Sequence, residues 1–166
     1  METNLSERQQ DRKEIQELNL KDVVRNILEE SRMVLPGIQA LFGFQLIAVF
    51  NARFDDLSSP DKCVHMIAIV LTIVAIAFLM APAAYHRQVE RNTVSQTLVD
   101  YSSKMLCFGM IPLVLSLCLD TFLVSKMILE NVFVSAVVSG IAFLLLLTLW
   151  YIIPRAAARK FKKMFY

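Results

Sequence analysis

Four apolar runs set the pattern of the chain: Met33–Phe50, Met66–Tyr85, Met105–Val124 and Val132–Ile153. None alternates polar with apolar, as a barrel strand would. Each is at least eighteen residues long, and about 20 residues of helix cross a hydrocarbon core of about 30 Å. In lipid every backbone N–H and C=O needs an internal partner, so such runs are expected to be helices. The predicted fold class is all-α: an integral membrane four-helix bundle with an N-terminal cytoplasmic amphipathic helix. That helix is read from Val23, Val24, Ile27, Leu28, Ser31 and Leu35, which recur at three- to four-residue spacing. Lys21, Arg25, Asn26 and Glu29 fall elsewhere on the wheel. Three parts follow: a helical arm over 1–32, a four-helix domain over 33–153 and a basic cytoplasmic tail over 154–166.

Breakers refine the picture. Pro36 is expected near the first turn of the first span, where a missing N–H does least harm. Pro82 lies near the end of the second span, Pro112 lies inside the third, and Pro154 follows the fourth. Residues 86–104 are polar but hold no Gly or Pro, and read as helical extensions around a turn. Residues 51–62 read as an outer loop, and 125–131 as a short connection.

Composition and charge narrow the class. Hydrophobic residues make up 56% of the 166 and charged residues 19%, against roughly 45–50% and 25% in an average soluble domain. The charge is also segregated: 14 of the first 32 positions are charged, and the runs 33–50, 66–85 and 132–153 hold none. This excludes a soluble globular domain, a disulfide scaffold and a disordered tail protein. Segments 1–32, 86–104 and 154–166 carry fourteen Lys and Arg, and the two intervening segments carry three. The positive-inside rule then sets both termini in the cytoplasm. The polar start lacks the apolar core of a signal peptide, so the first span is expected to act as its own insertion signal. Cys63, Cys107 and Cys118 are odd in number, and the last two are eleven residues apart on one helix, roughly 16 Å, beyond disulfide reach. They read as small apolar residues.

Two stretches carry a resemblance. One is Glu30-Ser31-Arg32-Met33-Val34-Leu35-Pro36-Gly37-Ile38-Gln39-Ala40-Leu41-Phe42-Gly43-Phe44; the other is Ala81-Pro82-Ala83-Ala84-Tyr85-His86-Arg87. Together, over roughly residues 28–153, the chain resembles a bacterial family of small, functionally uncharacterised membrane proteins. The resemblance implies four spans and a bacterial inner membrane. Some members are labelled sodium/proton antiporters. It implies no catalytic residues.

Asp120 is the sharpest candidate for chemistry. A carboxyl inside a span costs roughly 2.5–3.5 kcal/mol at the helix centre on insertion scales, and is a functional candidate by default. It shares a face with Gly109, Leu113 and Ser116. It reads either as a protonatable or cation-coordinating group, or as a solvated residue near the outer end of its span. Gln39 lies on one stripe with Arg32, Gly43 and Leu46, and either bridges helices or lines a polar path. Gln45 points about 120° away from Gln39 on the wheel. Asp55, Asp56 and Asp61 crowd the outer loop, as an acidic mouth that concentrates cations or as a solvated loop.

At the cytoplasmic ends, Arg32 and Arg87 read as topology anchors or as a latch with Glu29 or Glu30. Tyr85 is an interface residue, and His86 is a structural histidine or a pH sensor. His65 and Cys63 lack partners at metal-ligand spacing, so no metal and no cofactor are expected. Nothing resembles a nucleotide loop or a nucleophile triad, so no enzyme activity is expected. The basic tail is explained by topology and anionic lipid, without nucleic acid.

The small residues Ser135-xxx-Ser139 and Ala136-xxx-Gly140 suit close helix contacts and predict a homo-oligomer. The leading expectation is a channel or transporter for a small cation or proton. The alternative is a non-transporting scaffold or regulator that recruits partners through the N-terminal helix.

Overall fold

The computed structural model describes residues 2–89 and 95–165, with side chains placed for 18–89 and 95–160. Helices α1 (Glu2–Ala48), α2 (Ala52–Asp55), α3 (Ser59–Gln88), α4 (Gln96–Leu129) and α5 (Val132–Leu147) follow in order. A π-helical turn (Thr148–Ile152) then leads into α6 (Ile153–Phe165). Arg91, with the turn around it, and the side chains of Arg8, Arg12, Lys13, Lys162 and Lys163 enter the charge argument but lie outside the described residues.

Helix α1 runs unbroken from the polar arm into the first apolar run. No Gly or Pro occurs between Glu2 and Leu35, and the stretch is rich in Glu, Gln, Arg and Leu, all good helix formers. Pro36 therefore sits in a helix interior and not in a first turn, which corrects the expectation drawn from the apolar boundary alone. Its missing N–H removes the bond to the Arg32 carbonyl. The 51–62 connection is largely helical too. Asn51 caps α2 by accepting from Arg53 N–H at 3.0 Å. At the start of α3 the Ser58 hydroxyl accepts from Asp61 N–H (3.4 Å) and donates to Asp61 Oδ2 (2.6 Å), a reciprocal capping arrangement.

The connection between α4 and α5 is shorter than expected, because only Glu130 and Asn131 leave the helices. Glu130 adopts a left-handed φ of 51° and donates its N–H to Lys126 O at 3.0 Å, a terminating geometry usually given to glycine. The Asn131 side chain accepts from Phe133 and Val134 N–H, which starts α5. Pro154 does not close the fourth helical stretch. The preceding turn widens, Ile153 N–H reaches Thr148 O, and the helix continues. A widened turn relieves the clash that a proline ring makes with the carbonyl one turn back.

Among the described residues, three helical stretches are long and apolar enough to cross a membrane: Ser59–Gln88, Gln96–Leu129 and Val132–Lys160. Helix α1 is not among them. It stops at Ala48, short of the end of its apolar run, and Gln39 and Gln45 dilute that run.

The chain divides into two units. The first comprises residues up to Leu41 with Val74–Gly109. In it Val24, Ile27, Ser31 and Ile38 of α1 are buried, while Lys21, Arg25 and Glu29 are exposed. Gly109 lets α4 approach α3 closely: a Cβ there would stand 3.1 Å from Phe78 Cβ and 3.3 Å from Leu79 Cγ. Phe78 stacks with Phe108, and Tyr85 with Tyr101, at ring separations of 6.5 and 4.8 Å. The second unit comprises Phe42–Ile73 with residues from Met110 onward. Its buried face on α3 is Asp61, His65, Ala68, Ile69 and Thr72, with Ala68 and Thr72 meeting Ser116 of α4; Leu113 and Val114 of α4 are buried as well. Helix α5 buries only Ser135, and Ser139 Oγ donates to Cys118 O at 2.7 Å.

Candidate functional site

The second unit holds a polar cluster built from three helices. Gln45 of α1 is 3% exposed, although it lies in an apolar run. Its Nε2 donates to Ser116 Oγ at 3.0 Å and to Asp120 Oδ2 at 2.6 Å. Ser116, fully buried, donates to Ala68 O at 2.9 Å. Thr72 Oγ1 lies 2.7 Å from Ser116 Oγ and 3.1 Å from Ala68 O. Each hydroxyl has one proton. With Ser116 donating to Ala68 O, Thr72 donates to Ser116, and the set is consistent. The periodicity of α3 places His65, Ala68 and Thr72 on one face, and that of α4 does the same for Ser116 and Asp120.

His65 completes the cluster. Its Nε2 lies 2.9 Å from the backbone carbonyl of Gln45, and Phe54 packs edge-on against the ring at 5.4 Å. A carbonyl only accepts, so the Nε2 carries a proton. Gln45 thus joins two titratable groups, with Asp120 at its side-chain amide and His65 at its main chain. The amide oxygen of Gln45 is buried and has no hydrogen-bond partner among the described residues. A buried acceptor left without a donor costs about 1–3 kcal/mol. The second oxygen of Asp120 accepts no hydrogen bond from a described residue. The arrangement therefore offers open oxygen acceptors beside a carboxyl group, a donor set suited to a proton, a water or a small hard cation.

A charged pair flanks the cluster in the same unit. Lys126 Nζ lies 2.7 Å from both carboxylate oxygens of Asp61. Asp61 precedes the apolar run of α3. The Lys126 ammonium, helped by the Ser58 hydroxyl, holds its carboxyl below the usual carboxylate range. The acidic mouth is reduced accordingly: Asp61 is buried and neutralised, and only Asp55 and Asp56 are exposed. Three neighbours in sequence part company because Asp61 lies in the first turn of α3, facing inward, while Asp55 and Asp56 end the short α2.

The other predicted residues distribute as follows. Gln39 is exposed, and Gly43 has open space where a Cβ would be, so the Gln39–Gly43 stripe is the outer face of α1. Glu29 pairs with Arg25 at 3.0 Å, and no ion pair joins Arg32 or Arg87 to Glu29 or Glu30 among the described residues. The latch is therefore not formed. Arg32 and His86 share a shallow groove with Lys21 and Arg25 in the first unit. Arg87 and Glu30 are exposed, and Tyr85 is half-buried against Tyr101. Ser116 and Asp120 are brought together with Gln45. His65 and Thr72 were missed. The available signal was their spacing: Asp61, His65, Ala68 and Thr72 mark one stripe of an otherwise lipophilic helix.

Among the described residues the chain is helical without strands and has three apolar helices of membrane length, their outward surfaces covered by residues such as Ile67, Val70, Ile111 and Leu144, which makes it a membrane protein in class. Its polar chemistry is concentrated where α1, α3 and α4 meet within one unit. The chain belongs to the family of unknown function DUF6328, whose profile matches residues 13–154. No curated protein and no solved structure matches it.

Proposed function

We propose that the protein is a small homo-oligomeric transporter or channel of the bacterial inner membrane that moves a proton or a small cation. The first apolar run, on α1, serves as a fourth span, with both termini in the cytoplasm. No enzymatic step is assigned. The observation that carries this reading is the buried Gln45, whose amide holds Asp120 at 2.6 Å while its own oxygen has no partner among the described residues. A purely structural bridge would be expected to satisfy every buried acceptor. The exposed Ala136–Gly140 face of α5, open at Gly140, supports contact with a second copy.

The test is flux from protein-loaded vesicles under proton, sodium and potassium gradients. Wild type should carry one of them. Asp120→Asn should lower the flux to that of empty vesicles with helicity unchanged, and Gln39→Leu should alter it less. Absence of flux in all three gradients defeats the reading. Orientation is checked separately with Cys63 as the sole cysteine (Cys107→Ser, Cys118→Ser). An impermeant thiol probe should label it from outside intact cells, and labelling only in inverted vesicles would reverse the topology.

A second reading is favoured by one feature, the continuous α1, whose first thirty or so residues are too polar to enter lipid. As a rigid arm it would recruit a cytoplasmic partner. Capture of one specific protein through residues 1–32, without flux, supports it.

A further inference from the structure

Within the second unit, α4 and the α5–α6 stretch border an open groove of about 550 Å³. Ile111, Phe143 and Leu147 line its apolar length, and Arg155 and Arg159 stand at one end. No acidic residue lines it, and neither guanidinium has a carboxylate partner among the described residues. Arg155 lies over the ring of Tyr151 at 4.9 Å, which holds the cation at the rim of the apolar part. We propose that this groove is a binding site for one anionic phospholipid of the bilayer, with an acyl chain along Ile111, Phe143 and Leu147 and the phosphate on Arg155 and Arg159.

Two features argue for that occupant over a bare apolar contact. The first is charge complementarity. An entirely apolar partner would leave two cations unmatched, and a free anion would leave the apolar length unfilled. An anionic lipid matches both ends, and guanidinium groups pair with phosphate through parallel hydrogen bonds. The second is the π-helical turn. Leu147, Tyr151, Arg155 and Arg159 recur every four residues, and on a regular helix such a repeat drifts about 40° per step. The widened turn at Thr148–Ile152 winds more slowly, and all four residues line the same groove. The turn that accommodates Pro154 thus also aligns the basic end with the apolar one.

The experiment is native mass spectrometry of the full chain in detergent, with added phosphatidylglycerol or phosphatidylcholine of identical acyl chains. Wild type should retain one phosphatidylglycerol per chain, preferred about tenfold or more over phosphatidylcholine. Arg155→Gln/Arg159→Gln should abolish the preference. Leu147→Trp, which fills the groove and keeps both cations, should lower binding of both lipids. Lys160→Gln removes a charge from the same helix outside the groove and should keep the preference. Equal binding of the two lipids by wild type overturns the site. So does loss of preference in Lys160→Gln equal to that of the double variant, since diffuse attraction would then suffice. Cross-linking of Phe143→Cys to a second copy, unaffected by phosphatidylglycerol, would give the groove to protein and overturn it as well.

Discussion

The two units of the chain are made of similar helices and hold their interiors in different ways. In the first, aromatic pairs at Phe78–Phe108 and Tyr85–Tyr101, a glycine at 109 that admits a neighbouring helix, and Val24, Ile27 and Ile38 make the interior, while the Arg25–Glu29 ion pair stays on the exposed face of α1. Its buried Ser31 donates to Ile27 O at 3.1 Å, within its own helix. In the second, polar groups join different helices: Gln45 to Ser116 and Asp120, His65 to Gln45 O, and Lys126 to Asp61. The lesson concerns partners. A hydroxyl satisfied one turn back asks nothing of its neighbours and leaves packing in control. An amide satisfied only across helices fixes register and puts chemistry where α1, α3 and α4 meet.

The sharpest way to break this contrast is to remove its central amide. Gln45→Leu should lower the unfolding free energy in detergent by about 1–3 kcal/mol, because Asp120 and Ser116 lose a donor in a buried site. Ser31→Ala should stay within about 0.5 kcal/mol, because it removes only a bond inside one helix. Equal losses in the two variants would erase the distinction.

Two glycines probe the steric side. Gly109→Val should cost about 1–3 kcal/mol, since its Cβ and methyls would press on Phe78 and Leu79. Gly43→Ala meets nothing within 4 Å in the single chain and should gain up to about 1 kcal/mol in helix propensity. Thermal denaturation of both variants measures the pair. A destabilised, monomeric Gly43→Ala would instead locate a subunit contact on that stripe.

The smallest effect concerns pH. The Asp61 carboxyl is held below its ordinary value by Lys126. The stability it confers is present above the unfolded pKa of about 3.9 and is lost as pH falls through the lower folded value. Wild type should therefore lose stability on acidification below about pH 4 more steeply than Asp61→Asn. Parallel acid titrations of melting temperature would refute the pairing.

Much of the fold was legible because a bilayer makes composition decisive: three of the four apolar runs fall on helices of membrane length, and of the polar stretch 86–104 the described residues 86–88 and 96–104 extend α3 and α4. Less was legible where a local rule met a longer context. Pro36 looked like a helix start because the apolar boundary lay beside it, yet the polar residues before it are equally good helix formers. Pro154 marks the end of the fourth apolar run but not of its helix, because a π-helical turn carries the chain into α6.

By itself the sequence determined which long segments are apolar, and that Gln39, Gln45, Ser116 and Asp120 are among the polar groups within them. Only the tertiary structure decided which of the two glutamines turns inward. Periodicity separates them by about 120° but is silent on which face meets protein. It also decided that His65 and Thr72 join Asp120, and that Asp61 is neutralised by Lys126 while Asp55 and Asp56 are exposed. The reason is physical: hydropathy and helical period are properties of one segment, whereas a hydrogen bond between residues 45 and 120 exists only once separate helices have packed.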